Sequence, residues 1–318
     1  MMRIDADRLL RLSVVIDERS FSRAAARLFI SQPTLTASIA QLESEVNVKL
    51  LERGRHGAVP TEFGKQLYEH AKIIEAELGR AQRGLIALAG GTQGKVMIGA
   101  TSGAGLSMAC PAICRLLGAR PDLQVEFAEE DSEGDLLVRL RRRELDLVLC
   151  PSVSMPLHED LRGEPIFKTR RVLVTRTGHP VGEGGVTVKA LSSYRLVVPK
   201  DTSELRIRYN EMFSAMGIPF PTRTVVAASL AAAKEIIMQS NAFSIFTELS
   251  VTAEVRRGLL KTYELNIPTD YWYQAIFCGN VPVTPAMTAF LTELLTVCRE
   301  HDIEVQDAIA SGPLPCNS

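Results

Sequence analysis

The stretch from Phe21 to Glu45, FSRAAARLFISQPTLTASIAQLESE, decides the fold. It reads as two short helices joined by a tight turn. Ser22 is placed to cap the first, whose Ala24, Ala25 and Leu28 share one small-residue face. Ser31 is placed to cap the second, in which Leu35, Ile39 and Leu42 recur at helical spacing. Helices that cross steeply need alanine-sized side chains where they touch, and Leu28-Phe29-Ile30 is expected to anchor the turn with apolar residues. Pro33 falls in the first turn of the second helix, where a missing backbone donor costs nothing. Gln32, Thr34, Thr36, Ala37 and Ser38 leave the start of that helix polar or small and uncharged, suited to base edges and phosphates. An ordinary αα-hairpin inside a larger helical domain is the plainer alternative, and the flanking residues argue against it.

After the second helix comes Asn47, which tolerates the left-handed conformation that ends a helix. Val48 to Pro60, VKLLERGRHGAVP, then reads as a short β-ribbon, or wing, with Arg53, Arg55 and His56 at its tip. At this point the order of residues resembles the LysR-type transcriptional regulators. Ser20-Phe21-Ser22, Ala24-Ala25, Leu28, Ser31-Gln32-Pro33, Thr36, Ile39, Leu42-Glu43, Leu50, Arg53 and Thr61-Glu62-Phe63-Gly64 stand at the family's spacing, a match far more specific than a lone short motif. Two departures are mild: Asn47 replaces the usual glycine, and Leu50-Leu51 the usual Leu-Phe pair. The resemblance implies a winged helix-turn-helix that binds double-stranded promoter or operator DNA. Ser31, Gln32, Pro33, Thr34, Thr36, Ala37 and Ser38 would face the major groove, while Arg53, Arg55 and His56 would reach phosphate or minor groove.

A length of 318 residues suits two or three domains. The charged opening residues lead into no long apolar core, so neither a secretory signal nor a membrane anchor is expected, and the chain reads as cytoplasmic. Its net charge of −1 hides an uneven distribution. The first sixty residues hold more Lys and Arg than Asp and Glu, as a small cationic reader attached to a more acidic body should. Six cysteines are scattered without a CxxC spacing and read as buried thiols, so no metal or cofactor is expected.

From Thr61, a plausible N-cap, one long helix follows, with Phe63, Leu67, Ile74, Leu78, Ala81 and Leu85 at alternating spacings of three and four. This stripe is expected to dimerise the chain, and the resemblance implies a homo-oligomer, either a dimer or a dimer of dimers. The glycine-rich run Ala89 to Gly94 reads as a hinge. The expected domains are therefore 1–60 for the winged helix-turn-helix, 61–92 for the linker helix and hinge, 93–303 for an effector-binding domain, and 304–318 for a tail.

Beyond the hinge, β-rich runs at Lys95 to Ala100, Leu123 to Ala128, Leu145 to Cys150, Val172 to Arg176, Leu196 to Pro199 and Ala242 to Phe246 alternate with helical segments, which predicts an α/β fold. The resemblance implies two Rossmann-like lobes similar to periplasmic binding proteins, lobe one 93–164 plus 269–303 and lobe two 165–268, with an effector between them. Ligands of open α/β sheets sit beyond the carboxyl ends of strands, near helix N-termini. Thr101, Ser102 and Gly103 follow the first strand, and Thr202 and Ser203 follow the strand ending at Pro199. With Ser152 and Arg206 they form a candidate site for a small carboxylate. Phe246, Thr247 and Glu248 are expected to line the cleft differently from the family, whose glycines and proline are missing from Ser240 to Glu248.

Catalysis is not expected. Gly99 to Gly105 lacks the Gly-Lys-Ser/Thr ending of a phosphate loop, and the five histidines lie in separate segments. The remaining alternative is an α/β solute-binding protein or enzyme with an N-terminal helical interaction domain; a solute-binding protein without DNA would need an export signal and would not explain residues 1 to 90. RNA polymerase is a further candidate partner.

Overall fold

The computed structural model describes residues 4–54, 57–88, 94–152, 157–181, 190, 192–199, 203–279 and 281–306. The chain divides into two compact units, residues 1–93 with 141–144, and residues 94–140 with 145–318.

The first unit is built on three helices, α1 (Ala6–Glu18), α2 (Phe21–Arg27) and α3 (Gln32–Val46). A two-stranded ribbon, β1 (Leu51–Gly54) and β2 (Gly57–Pro60), follows, and then the long α4 (Glu62–Leu88). Each short helix has a side-chain cap: Asp5 accepts from the Arg8 amide, Ser20 from Arg23 and Ser31 from Thr34. The cap of α2 is thus Ser20, not Ser22. Because Arg19 takes a left-handed φ of 49° and ends α1, the chain re-enters a helix two residues earlier than the serine pattern suggested. Ala24 and Ala25 are fully or nearly fully buried and let α2 lie close to α1 and α3, around a core of Leu9, Leu12, Leu35, Ile39, Leu42 and Leu50. Asn47 ends α3 with a φ of 54°.

Two polar anchors place the ribbon and the long helix. Glu43 accepts from the Leu50 and Leu51 amides at 2.8 and 3.2 Å and from Lys49 Nζ at 2.6 Å. Burial alone would push its carboxyl up, but the Lys49 ammonium and the two amides outweigh that and hold it below its ordinary value. Thr61 donates its hydroxyl to the Lys49 carbonyl, and its Oγ1 accepts from the Gly64 amide at 3.1 Å, capping α4. At Gly64 a Cβ would stand 2.0 Å from the Leu50 carbonyl oxygen, so only glycine lets the helix start there. Gly57, at φ 104°, is equally constrained against the Arg19 carbonyl, which accepts from the Ala58 amide.

The apolar stripe of α4 serves two ends. Leu67 and Ile74, with fully buried Ala71, pack onto the first unit's own core, so these two members of the stripe are spent within the chain. Phe63, Leu78, Ala81 and Leu85 remain exposed. Tyr68 donates to Asp17 at 2.6 Å and Lys72 pairs with the same carboxylate, which fixes α4 against α1.

The second unit is a mixed sheet whose strand order is β4-β3-β5-β11-β6-β9-β7-β8, with β10 on β6. The strands are β3 (Lys95–Thr101), β4 (Gln124–Glu130), β5 (Leu147–Pro151), β6 (Leu161–Arg176), β7 (Leu196–Pro199), β8 (Thr224–Ala227), β9 (Phe243–Thr247), β10 (Leu260–Tyr263) and β11 (Asp270–Cys278). The helices are α5 (Ala104–Ala119), α6 (Glu133–Arg141), α7 (Ser203–Ala215), α8 (Leu230–Met238), α9 (Thr252–Arg256) and α10 (Pro285–Glu300). β3, β4 and β5 are parallel, as are β7, β8 and β9, while β6 and β11 run antiparallel to each other between the two sets. Apolar clusters sit on both faces of each half: α5 and α10 cover one face of the first and α6 the other, while α7 and α8 cover the two faces of the second. This is the two-lobed α/β architecture the sequence implied.

Two buried polar side chains brace the second unit. Asp146 is buried; its carboxylate accepts from the Met97 amide at 2.8 Å and its own amide donates to the Met97 carbonyl, which locks β3 to the approach of β5. His179, after Gly178 at φ 68°, is buried, bonding the Asn241 carbonyl through Nε2 and accepting from the Val181 amide at Nδ1. Not all cysteines are buried: Cys150, Cys278 and Cys298 are, but Cys110 is half-buried and Cys114 exposed, because α5 turns that edge outward. No helix among the described residues is long and apolar enough to cross a membrane.

Gly64→Ala is expected to lower the stability of the first unit by about 2–3 kcal/mol, since its methyl group meets backbone rather than a yielding side chain; thermal unfolding followed by circular dichroism measures it. Glu43→Gln should cost about 1–2 kcal/mol at neutral pH. Because the folded-state carboxyl is held low, that contribution is present above the usual carboxylate range and fades as pH falls through the folded value. Urea titrations of both proteins should therefore converge in acid, and a gap independent of pH would contradict the anchor.

Candidate functional site

The exposed surface of α3 is short and chemically uniform. Ser31, Gln32, Pro33, Thr34, Thr36 and Ala37 are all exposed, whereas Leu35, Ile39 and Leu42 are buried. Ser31 Oγ serves the Thr34 amide at 3.2 Å and the Thr34 hydroxyl at 2.7 Å. Ser22, displaced from its expected capping role, donates instead to Gln32 Oε1 at 2.8 Å and holds that amide in one orientation. No charged side chain interrupts the stretch from Gln32 to Gln41.

Two expectations for this surface are corrected. Ser38 is only 8% exposed and its Oγ accepts from Arg11, because a helical turn from Leu35 carries it onto the α1-facing side. Phe29 does not anchor the turn. It takes a left-handed φ of 54° and is 96% exposed, while Leu28 and Ile30 on either side do the packing. At the wing, Arg55 and His56 lie outside the described residues, as does the side chain of Arg53, whose backbone belongs to β1 and pairs with Ala58.

In the second unit, β11 brings together two of the expected cleft residues. Thr101, at the end of β3, is buried and shares a 3.1 Å hydrogen bond with the Tyr273 hydroxyl. Thr247, at the end of β9, is hydrogen-bonded to the Tyr271 hydroxyl. Tyr271 and Tyr273 are two residues apart on one strand, their rings 6.0 Å apart, and Tyr273 stacks on Phe167 of β6 at 4.9 Å. Burial pushes both phenols up, so at neutral pH they remain protonated. Gly103, at φ 94°, turns the chain from Thr101 into α5, and Ser102 beside it is half-buried. Ser152 is exposed just past β5, its amide donating to the Trp272 carbonyl.

Other expected members fall elsewhere. Phe246 is buried among Val172, Val197 and Ile237 rather than lining a cleft, because alternate residues of β9 face its helix-covered side. Glu248 is held by Arg170 in a two-point pair at 2.8 Å through both carboxylate oxygens. Thr202 lies outside the described residues, and so do the side chains of Ser203 and Arg206.

Two cavities contrast in charge. A groove of about 720 Å³ is lined by Lys168, Arg170, Lys234, Arg256, Glu248, Glu254, Glu304 and neighbours, and three of its cations are already matched. Arg170 pairs with Glu248 and Glu264, Lys234 with Glu254, and Lys168 with Asp270 and Glu304. A smaller cavity of about 290 Å³ is lined by Pro151, Ser152, Arg171, Arg208, Met212, Ile267, Pro268 and Tyr271, with Glu211 and Ala215. There the Arg171 guanidinium lies 4.8 Å over the Tyr271 ring, and its one hydrogen-bond partner among the described residues is the Met212 sulfur at 3.9 Å. Arg171, Arg208 and Tyr271 were not among the residues expected from sequence. The signal available was an arginine pair, Arg170-Arg171, opening an otherwise apolar strand run.

Comparisons with known proteins agree in both units. Residues 89–299 match the family model described as the LysR substrate binding domain, and residues 7–65 match that of the bacterial regulatory helix-turn-helix protein, lysR family. The chain is 28% identical over 296 residues to the HTH-type transcriptional regulator GalR of Pseudomonas putida, covering 91% of this chain and 74% of that protein. It is 30% identical over 245 residues to the HTH-type transcriptional regulator GbpR of Azospirillum brasilense, 75% of this chain and 70% of that one. Among solved structures, a full-length OxyR variant of Pseudomonas aeruginosa aligns with a TM-score of 0.67 at 20% identity, over 92% of this chain and 95% of that one. The regulator CbnR in complex with its target DNA aligns with a TM-score of 0.64 at 20% identity, over 92% and 100%.

Proposed function

Because the chain belongs to the LysR family of DNA-binding transcriptional regulators, we propose that its operator is read by the exposed first turns of α3 and its activity set by a small carboxylate held between the two halves of the second unit. The family consists of regulators rather than enzymes, which sets aside the enzyme and solute-binding alternatives.

The partition of α3 carries the reading of DNA. Its core-facing leucines and isoleucine fix the helix on the domain, and Ser31, Gln32, Pro33, Thr34, Thr36 and Ala37 form a surface free of charge that demands hydrogen-bond complementarity rather than mere electrostatic attraction. Gln32, oriented by Ser22, is suited to a two-point contact with an adenine edge. Arg53, Arg55 and His56 of the wing supply contacts to phosphate or minor groove. Ser38 drops out of this surface.

For the effector, support comes from Thr101 and Thr247, which reach from opposite halves to neighbouring tyrosines of β11. Thr101, Ser102, Gly103, Ser152, Thr202, Ser203 and Arg206 remain the proposed contacts, with Thr247; Phe246 and Glu248 do not. The domain extents are those read from the sequence, 1–60, 61–92 and 93–303, and RNA polymerase is a proposed partner of the DNA-bound form in the cytoplasm. Oligomerisation is assigned to the exposed part of the α4 stripe, Phe63, Leu78, Ala81 and Leu85.

Gln32→Ala is expected to weaken operator binding by about 1–3 kcal/mol and to relax base preference at one position, in gel shifts at fixed salt. Unchanged affinity and preference would remove Gln32 from the reading surface. Leu78→Asp with Leu85→Asp should reduce the mass seen by light scattering while leaving the first unit folded, because both side chains are more than half exposed. An unchanged mass would place the interface elsewhere.

A further inference from the structure

An ion pair joins the two halves of the second unit. Glu133 opens α6, just after β4, in the first half; Arg208 lies on α7, in the second half. Arg208 donates from Nη1 and Nη2 to the two Glu133 carboxylate oxygens at 3.0 and 3.1 Å, and both side chains are largely buried, 17% and 11% exposed. Arg208 also lines the 290 Å³ cavity, as does Arg171. The Arg171 guanidinium is partly withdrawn from water, stacked on Tyr271 and, among the described residues, met by nothing stronger than a thioether. A cation withdrawn from water normally acquires a carboxylate. The rest of the lining divides into an apolar wall, Pro151, Met212, Ala215, Ile267 and Pro268, and a hydroxyl, Ser152. Among the described lining residues the one carboxylate is Glu211, which is itself exposed.

We propose that this cavity is a carboxylate site in which Arg171 and Ser152 receive the incoming anion and Glu133 acts as a built-in competitor for Arg208. Without ligand, Arg208 is satisfied by Glu133, and the pair clasps the two halves together. A carboxylate bound at Arg171 draws Arg208 toward itself, frees Glu133, and so exchanges a bond between the halves for one inside the cavity. The ligand class is a monocarboxylate with a compact apolar body. The guanidinium fork matches the carboxylate in plane, and the proline, methionine and isoleucine wall rewards a hydrocarbon rather than a second charge. The inference deepens the effector reading above and rests on it.

The probe is cyclohexanecarboxylate, with cyclohexanecarboxamide as its uncharged counterpart, titrated calorimetrically into the full-length protein. The carboxylate is expected to bind and the amide not. Arg171→Gln should weaken the carboxylate at least about tenfold, with Arg171→Lys intermediate because it keeps the charge and loses the fork. Glu133→Gln, which removes the competitor, should bind about tenfold more tightly than the unaltered protein. Melting curves of each variant establish that it is folded, and Glu133→Ala serves if Glu133→Gln is not. Equal affinity in Arg171→Gln overturns the site. Equal or weaker affinity in the Glu133 variants overturns the competition, and equal binding of the amide overturns recognition by charge. Absence of binding even in Glu133→Gln at millimolar carboxylate overturns the proposal as a whole. A crystal complex separates the two levels: a ligand against Thr101 and Gly103, with Arg171→Gln undiminished, ends this proposal and leaves the effector reading standing, whereas a ligand outside the two halves ends both.

Discussion

Everything in the second unit depends on the pairing of β6 with β11. Two parallel three-stranded sets, each buried on both faces, would expose an unpaired edge if they stood alone. β11 meets β6 over nine residue pairs from Asp270–Arg170 to Cys278–Leu161, and meets β5 through Tyr273 to Ile276. The inner edge of one set is thereby hydrogen-bonded to the inner edge of the other through two antiparallel strands. That ladder also sets the side-chain geometry. Tyr271 and Tyr273 must point to one face because strand side chains alternate, and so the hydroxyls that hold Thr247 and Thr101 are aligned by the backbone itself.

The first unit solves a different problem, that of fixing a short ribbon and a long helix to a very small core. It does so with backbone contacts. Glu43 satisfies two amides at the entry to the ribbon, Thr61 closes its exit, and Gly64 admits the Leu50 carbonyl against the helix start. The apolar core then only has to position three helices, and small residues at Ala24 and Ala25 suffice.

How much of this could be read from the chain varied with the range of the interaction. Features set within a few residues were legible: the Ser31 cap, Pro33 in the first turn, Asn47 at the helix end and Thr61 before α4. Where two neighbours had equal local merit, distant structure decided. Ser20 and Ser22 both suit a cap, and the left-handed Arg19 that ends α1 selects the former. Ser38 looks like its exposed neighbours until Arg11 of α1 is placed against it. Leu67 and Leu78 occupy the same periodic stripe, yet only the first lies within reach of the α1–α3 core. The cavity was the least legible part, since Arg171, Arg208 and Tyr271 come from segments separated by tens of residues and are brought together by the pairing of β6 with β11 and the packing of α7.

The division of the α4 stripe has a consequence for how such a protein responds to its own abundance. Leu78 and Leu85 are more than half exposed on the single chain, and if a second copy covers them, as proposed, the free energy of burying them is gained on association. The fraction of protein able to present two reading heads at once then follows mass action, rising with a higher power of concentration than the protein itself. A modest change in synthesis rate would translate into a steeper change in operator occupancy, and chains below the association threshold would carry a sticky, slowly aggregating face. On that reading the expression level of the regulator would become a control variable in its own right, set by a few leucines on one helix.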